Sequence, residues 1–260
     1  MTTAPGNLYD YPRYYDLVFG SDWKAEFDFL REIFREYGGK AGVRRVFEPA
    51  CGTGRLLFRL GREGLEVSGL DLNPRAVQYC NRRLERYGLP PSVFVGDMAD
   101  FKLKRQVDAA FNTINSFRHL LSEAQAKAHL QCVAGSLRKG GIYVLGLHLT
   151  PTQGAPLTEE SWSARRGNLA INTHLETFDT DLDDRTERCR MAMQIYMPRK
   201  TLEIVDQLVF RTYTKDQFLK LLKGTKCFEI AGTYDFQYRL DSPTEIEADT
   251  QDVVLILRKL

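Results

Sequence analysis

The run Glu48-Pro49-Ala50-Cys51-Gly52-Thr53-Gly54-Arg55 constrains the fold of this chain more than any other feature. Apolar residues precede it (Val46, Phe47) and follow it (Leu56, Leu57), so an extended segment over 43–48 must turn sharply and enter a helix over 55–62. Gly52 and Gly54 allow that turn and let a ligand approach the backbone closely. The helix that follows presents unpaired N–H groups at its start.

The segments that follow repeat this unit. Strands are expected at 65–70, 92–95, 107–111 and 142–149. Helices are expected at 74–87, with Pro74 in the first turn, and at 122–137, with Ser122 as cap and Gly140-Gly141 as terminator. Strands alternating with helices predict βαβ units, a parallel sheet, and right-handed crossovers that place helices on both faces. Ligands of such sheets bind beyond the carboxyl ends of the strands.

Upstream, an aromatic cluster (Tyr9, Tyr11, Tyr14, Tyr15) leads into a helical spacing of Phe27, Leu30, Phe34 and Tyr37 that Gly38-Gly39 stops. Beyond Pro151 the period becomes two: Leu169, Ile171, Thr173 and Leu175, then Met191, Met193, Ile195 and Met197, then Leu202, Ile204, Leu208 and Phe210. Breaks at 179–185 and 198–201 separate these runs, which predicts an antiparallel meander with one buried face. A helix over 214–223 and strands over 228–234 and 252–258 complete the pattern. The expectation is an α/β, Rossmann-like, doubly wound sheet with a C-terminal antiparallel hairpin and an inserted meander. Its parts are a helical cap (1–37), a core (38–150 with 211–260) and the insert (151–210).

Composition narrows the partners. A formal net charge of +2, with scattered Arg-Arg pairs, gives no basic stripe for a nucleic acid. No apolar run approaches the roughly 20 residues that span a bilayer, and the N-terminus lacks a signal pattern. The five cysteines are far apart and contain no C-x-x-C, and the four histidines lack ligand spacing, so neither disulfides nor a metal site is expected. A cytoplasmic protein without membrane or nucleic-acid partners fits these features.

Three acidic positions give the glycine turn its meaning. Glu48, ending the first strand, would repel a pyrophosphate and suit a cationic ligand. Asp71 follows Gly52 by nineteen residues and ends the second strand, where a carboxylate can accept bonds from both hydroxyls of a ribose. Gly96-Asp97-Met98 follows the third strand, placing an acid and a flat apolar side chain together.

This set resembles the class I S-adenosylmethionine-dependent methyltransferases over roughly residues 40–150. The resemblance implies that Glu48 orients the methionine amino end, that Ala50, Gly52 and Gly54 line the cofactor, that Asp71 and Leu72 meet its ribose side, and that Asp97 with Met98 holds adenine. Asn112 falls where the backbone of such proteins meets the methionine moiety. Tyr14 and Tyr15 match a Tyr-rich segment that folds over the cofactor, Tyr14 as a contact and Tyr15 as a candidate catalytic group. Arg118, Trp162 and Arg166 are candidate acceptor ligands. His148, ending the fifth strand, is the candidate base.

The activity implied is in-line methyl transfer to a small-molecule acceptor. It needs alignment and exclusion of water more than a catalytic triad. An inserted antiparallel sheet is similar to that of small-molecule N-methyltransferases, which favours nitrogen over oxygen as acceptor. The loop Asn112-Thr113-Ile114-Asn115 lacks the N-P-P-Y pattern of nucleic-acid amino methylases. Two other readings remain. One is a non-catalytic S-adenosylmethionine-binding module. The other is an NAD-dependent oxidoreductase, which Leu57 opposes by standing where a third glycine belongs. The insert is expected to roof the acceptor cavity or, through Tyr196 and Val205 on its outer face, to pair two copies, so the protein is a monomer or homodimer.

Overall fold

The computed structural model describes residues 2–3 and 6–260. In chain order its elements begin with β1 (Thr2–Thr3), α1 (Pro12–Gly20), α2 (Lys24–Tyr37), β2 (Arg45–Pro49), α3 (Leu57–Arg62) and β3 (Glu66–Asp71). Next come α4 (Pro74–Arg86), β4 (Val93–Val95), β5 (Val107–Asn112), α5 (Glu123–Ser136) and β6 (Leu137–His148). The remainder is β7 (Glu159–Arg166), β8 (Leu169–Asp181), β9 (Thr186–Met197), β10 (Lys200–Arg211), α6 (Lys215–Thr225), β11 (Phe228–Tyr234) and β12 (Asp252–Lys259).

Seven strands form the main sheet in the order β11-β12-β6-β5-β2-β3-β4. The five from β4 to β6 are parallel, and β12 runs antiparallel to both its neighbours. The chain leaves β2 toward β3 and β4, then returns to β5 on the other side of β2. The crevice beyond β2 is therefore the switch point at which such sheets take ligands. One face packs on α5 and α6 through residues such as Leu130, Val133, Phe218 and Leu221. The other packs on α2, α3 and α4 through Leu30, Ile33, Leu60 and Leu84. This is the doubly wound, Rossmann-like architecture that the alternating pattern requires.

A second sheet, ordered β1-β10-β9-β8-β7, is antiparallel apart from the short β1–β10 pair. Its inner face, with Ile171, Met191, Met193, Ile195 and Ile204, packs against Leu8, Leu17 and Val18 at the N-terminus. Of the period-two methionines, Met191 and Met193 are buried and Met197 is partly buried. No helix among the described residues is long and apolar enough to cross a membrane.

The structure departs from the sequence pattern in three places. The aromatic cluster is partly helical: Pro12 opens α1, which buries Leu17 and Val18. The meander has a further strand, β7, paired with β8 from Glu159↔Glu176 to Arg166↔Leu169. Gly140-Gly141 does not end α5. The helix stops at Ser136, and Gly140 (φ +70°) lies inside β6, where the register against β5 shifts.

The two glycines of the turn do different work. A Cβ on Gly52 would meet only the Tyr15 ring, at 3.6 Å, whereas one on Gly54 would lie 2.2 Å from Cys80 Sγ on α4. Gly54 also sits at φ +65°. Gly54→Ala is expected to destabilise the protein by about 2–4 kcal/mol through strain and overpacking together. Gly64→Ala adds a methyl at φ +93° with nothing within 4 Å, so it carries only the backbone cost. Equal urea midpoints for the two variants would show that the Cys80 contact does not matter.

Candidate functional site

The turn after β2 is held open by positive φ at Ala50 (54°), Gly52 (53°) and Gly54 (65°). Cys51 N–H donates to Leu70 O at 2.8 Å, tying the turn to the end of β3. Asp71 then bridges the two loops: its Oδ2 accepts from Gly52 N–H at 2.7 Å and its Oδ1 from Asn73 N–H at 2.8 Å. Burial pushes its carboxyl above the ordinary value, while the two N–H bonds pull the other way. Each oxygen keeps a lone pair for a ligand hydroxyl.

A cavity of about 800 Å³ opens beyond these strand ends. Of the residues singled out from sequence, Tyr15, Ala50, Gly52, Asp71, Leu72, Asp97, Met98, His148 and Trp162 line it. Asp97 Oδ1 accepts from Ala99 N–H at 2.8 Å, which shapes its loop. Met98 is buried, and its carbonyl accepts from His129 Nδ1 at 2.9 Å. His129 in turn meets the Tyr143 hydroxyl at 2.8 Å, and burial lowers its pKa to about 4, so it is a neutral strut beneath the loop. Trp162, on β7, packs edge-on to Phe19 of α1 at 5.9 Å, so the second sheet and the N-terminal helix meet over the cavity.

The other candidates do not line the cavity. Glu48 and Asn112 are buried and outside its lining. Glu48 is buried, its Oε2 has no hydrogen-bond partner, and desolvation raises its pKa well above normal. Asn112 donates from Nδ2 to Pro49 O at 2.7 Å, and its Oδ1 has no partner. Gly54 faces α4 rather than a ligand. Tyr14 directs its hydroxyl to Met197 Sδ at 3.9 Å. Arg118, expected to await an anionic substrate group, is buried and ion-paired with Glu187, with its Nε donating to Arg211 O at 2.9 Å. Its charge is spent on joining the β5–α5 loop to the second sheet. Arg166 is exposed and lies 3.8 Å from Asp16 rather than in the cavity.

The structure also brings in residues that the sequence reading missed. Tyr9 and His119 line the cavity and meet at 3.0 Å between the Tyr hydroxyl and Nε2. Burial, with help from Arg118, lowers the His119 pKa to about 4. Asp16, buried in α1, accepts from the Thr53 hydroxyl at 3.0 Å and pairs with Arg83 at 2.5 Å, which fastens α1 to the glycine turn and to α4. Under the turn, Arg55 and Glu26 form a buried two-pronged pair at 2.5 and 2.6 Å. Glu26 also accepts from the Thr113 hydroxyl. Only Tyr9, in the aromatic cluster, carried a local signal; the others depend on contacts between distant segments.

A smaller cavity of about 190 Å³ adjoins the first. Asn115, His148, Glu160, Leu175 and Phe210 border both. Four carboxylates (Glu159, Glu160, Glu187, Asp252) and one guanidinium (Arg118) line it.

Comparison with known proteins agrees with this geometry. A family profile described as "Methyltransferase domain" matches residues 46–141. The dTDP-3-amino-3,6-dideoxy-α-D-glucopyranose N,N-dimethyltransferase of Streptomyces fradiae is 32% identical over 135 residues, 50% of this chain and 50% of that protein. The dTDP-3-amino-3,4,6-trideoxy-α-D-glucopyranose N,N-dimethyltransferase of Streptomyces venezuelae is 27% identical over 139 residues, 52% of this chain and 56% of that protein. The matched stretch thus spans about half the length of these curated relatives. In fold the chain is similar to a crystal structure of an S-adenosylmethionine-dependent methyltransferase from Clostridium acetobutylicum. The TM-score is 0.77 with 17% identity, covering 95% of this chain and 97% of that one.

Proposed function

We propose that this chain, whose residues 46–141 match a methyltransferase-domain profile, binds S-adenosylmethionine and methylates an amine-bearing small molecule. The observation that carries the proposal is the pair of acids on adjacent strand ends. Glu48 has a buried oxygen without a partner behind the glycine turn, and Asp71 holds that turn with lone pairs to spare and lines the 800 Å³ cavity. A buried, unpaired carboxylate oxygen is costly unless a donor arrives, and the ammonium of a methionine end supplies one. Asp71 takes the ribose hydroxyls, with Leu72 alongside. Asp97 and Met98 take adenine. Ala50 and Gly52 let the ligand approach the backbone, and the Asn112 backbone faces the methionine moiety. The same acids oppose a dinucleotide pyrophosphate.

The cofactor supplies a methyl group already activated on a sulfonium. The residues of the chain align and enclose: Tyr15 and Phe19 of α1 cover the cavity, and Trp162, Leu175 and Phe210 of the second sheet roof it. That sheet therefore sets which acceptor fits. An amine is favoured over an alcohol because the lining near His148 is rich in carboxylates, Glu160 among them without an ion pair among the described residues, and because the two curated relatives are named as amino-sugar N,N-dimethyltransferases.

Calorimetry and thermal unfolding test the reading. S-adenosylmethionine at 100 times its dissociation constant is expected to stabilise the protein by about 2.7 kcal/mol. Turnover to S-adenosylhomocysteine is expected with a dTDP-linked 3-amino deoxyglucose. NAD binding in place of S-adenosylmethionine would refute the proposal. Tight binding without turnover on any amine would reduce the protein to a non-catalytic binding module.

A further inference from the structure

The mouth between the two cavities holds a contact that the sequence gives no reason to expect. His148, the last residue of β6, places Nδ1 2.5 Å from Asp252 Oδ1, at the start of β12. The two residues face each other across the sheet, since Asp252 is the register partner of His148. Two further contacts hold the residue. His148 N–H donates to Asn115 Oδ1 at 3.0 Å. Asn115 itself sits in the left-handed region at φ 51°, rare for a non-glycine residue and a recurrent sign of a functional position. The ring of Phe236 stands edge-on at 5.1 Å. His148 also borders both cavities, so a molecule in either one can reach it.

We infer that Asp252 is a positioning residue, holding His148 with its proton on Nδ1 so that Nε2 is bare and receives a proton from the acceptor nitrogen. This deepens the proposed function and rests on it for the identity of the acceptor. The chemistry follows from the donor–acceptor inventory. A carboxylate only accepts, so the nitrogen facing Asp252 must carry hydrogen, and in a neutral imidazole the other nitrogen then has the lone pair. An ammonium acceptor has no lone pair with which to attack. One N–H bond of the acceptor breaks, its proton goes to Nε2, and its electron pair stays on nitrogen for the incoming methyl.

The other histidine in the cavity, His119, is poorly placed to accept a proton. His119 is held at about pKa 4 by burial and by Arg118, and its Nε2 already meets the Tyr9 hydroxyl. Around His148 the charged groups are Asp252 from β12, Glu160 from β7 and Glu187 from β9, with Arg118 paired to Glu187. That surrounding favours a cationic acceptor.

Nitrogen-15 NMR of the imidazoles at pH 9, on the full chain without ligand, reads the tautomer directly, with His148→Gln identifying the signal. Wild-type protein is expected to show His148 protonated on Nδ1 and bare on Nε2. Asp252→Asn should move the population toward the Nε2–H form, and Asp252→Glu should restore it. With the dTDP-linked 3-amino sugar as acceptor, Asp252→Asn should lower kcat roughly 10²-fold, at the lower end of what a general base contributes, with KM within about twofold and partial recovery in Asp252→Glu. A tautomer that ignores Asp252→Asn overturns the inference, whether or not the sugar turns over. So does a changed tautomer with undiminished kcat. Failure of S-adenosylmethionine to bind, with the tautomer shift intact, would instead count against the methyltransferase reading.

Discussion

Arg55→Met is expected to lower the unfolding free energy by about 3–5 kcal/mol, because it strips one partner from an ion pair that is closed to water. The side chains of Arg55 and Glu26 are 9% and 3% exposed, and the guanidinium contacts both carboxylate oxygens. Glu48 lies in the same field, and Arg55 is what opposes its burial cost. Removing Arg55 therefore strands two buried acids at once. Pairing the change with Glu26→Leu should recover much of the loss, since an apolar pair of similar volume is often no worse than the ion pair it replaces. Denaturant curves of the two variants decide the matter. A single-variant loss below about 1 kcal/mol, typical of exposed pairs, would mean that the pair is not sealed as described.

Asp71→Ala should weaken S-adenosylmethionine binding by at least about 10²-fold, which is close to 3 kcal/mol. Hydrogen bonds to a charged group are worth about 1.5–3 kcal/mol each, and the carboxylate is positioned to accept from two ribose hydroxyls. The same change frees Gly52 N–H and Asn73 N–H, so the turn loses its tether as well. Asp71→Asn, which keeps one acceptor oxygen, should fall between the two. Titration calorimetry separates this from misfolding, because the melting temperature without ligand should drop only slightly. Unchanged affinity in Asp71→Ala would make this residue a loop staple and nothing more.

The parallel sheet was legible because each strand–turn–helix unit is written locally. Glycine turns, Pro74 at the start of α4 and the Ser122 capping box each lie within a few residues of what they determine. The placement of the three acids was legible for the same reason: Glu48, Asp71 and Asp97 occupy equivalent strand ends. Elements with weak periodicity were lost. Strand β7 buries only Ala164 and half-buries Trp162 among polar neighbours, and α1 spans nine residues crowded with tyrosine. Two contacts at the cavities were illegible because their partners are far apart in sequence: His148 and Asp252 are separated by 104 residues, and Tyr9 and His119 by 110. The ion pair of Arg118 was illegible for a related reason. Its counter-ion, Glu187, is placed by the pairing of Phe210 with Glu187 between β10 and β9, and nothing in the spacing of either strand fixes that register.

The Asp16 cluster ties the helix over the cavity to the glycine turn and to α4. The helix that covers the opening is fastened by one buried carboxylate to Thr53 of the turn, to Tyr79 and to Arg83. For a large molecule to leave past α1, that cluster must come apart, and Arg83 also donates to the backbone of Thr53 at 3.2 Å. Release along that route is expected to follow how often this polar knot opens, rather than how tightly the cavity wall grips its guest.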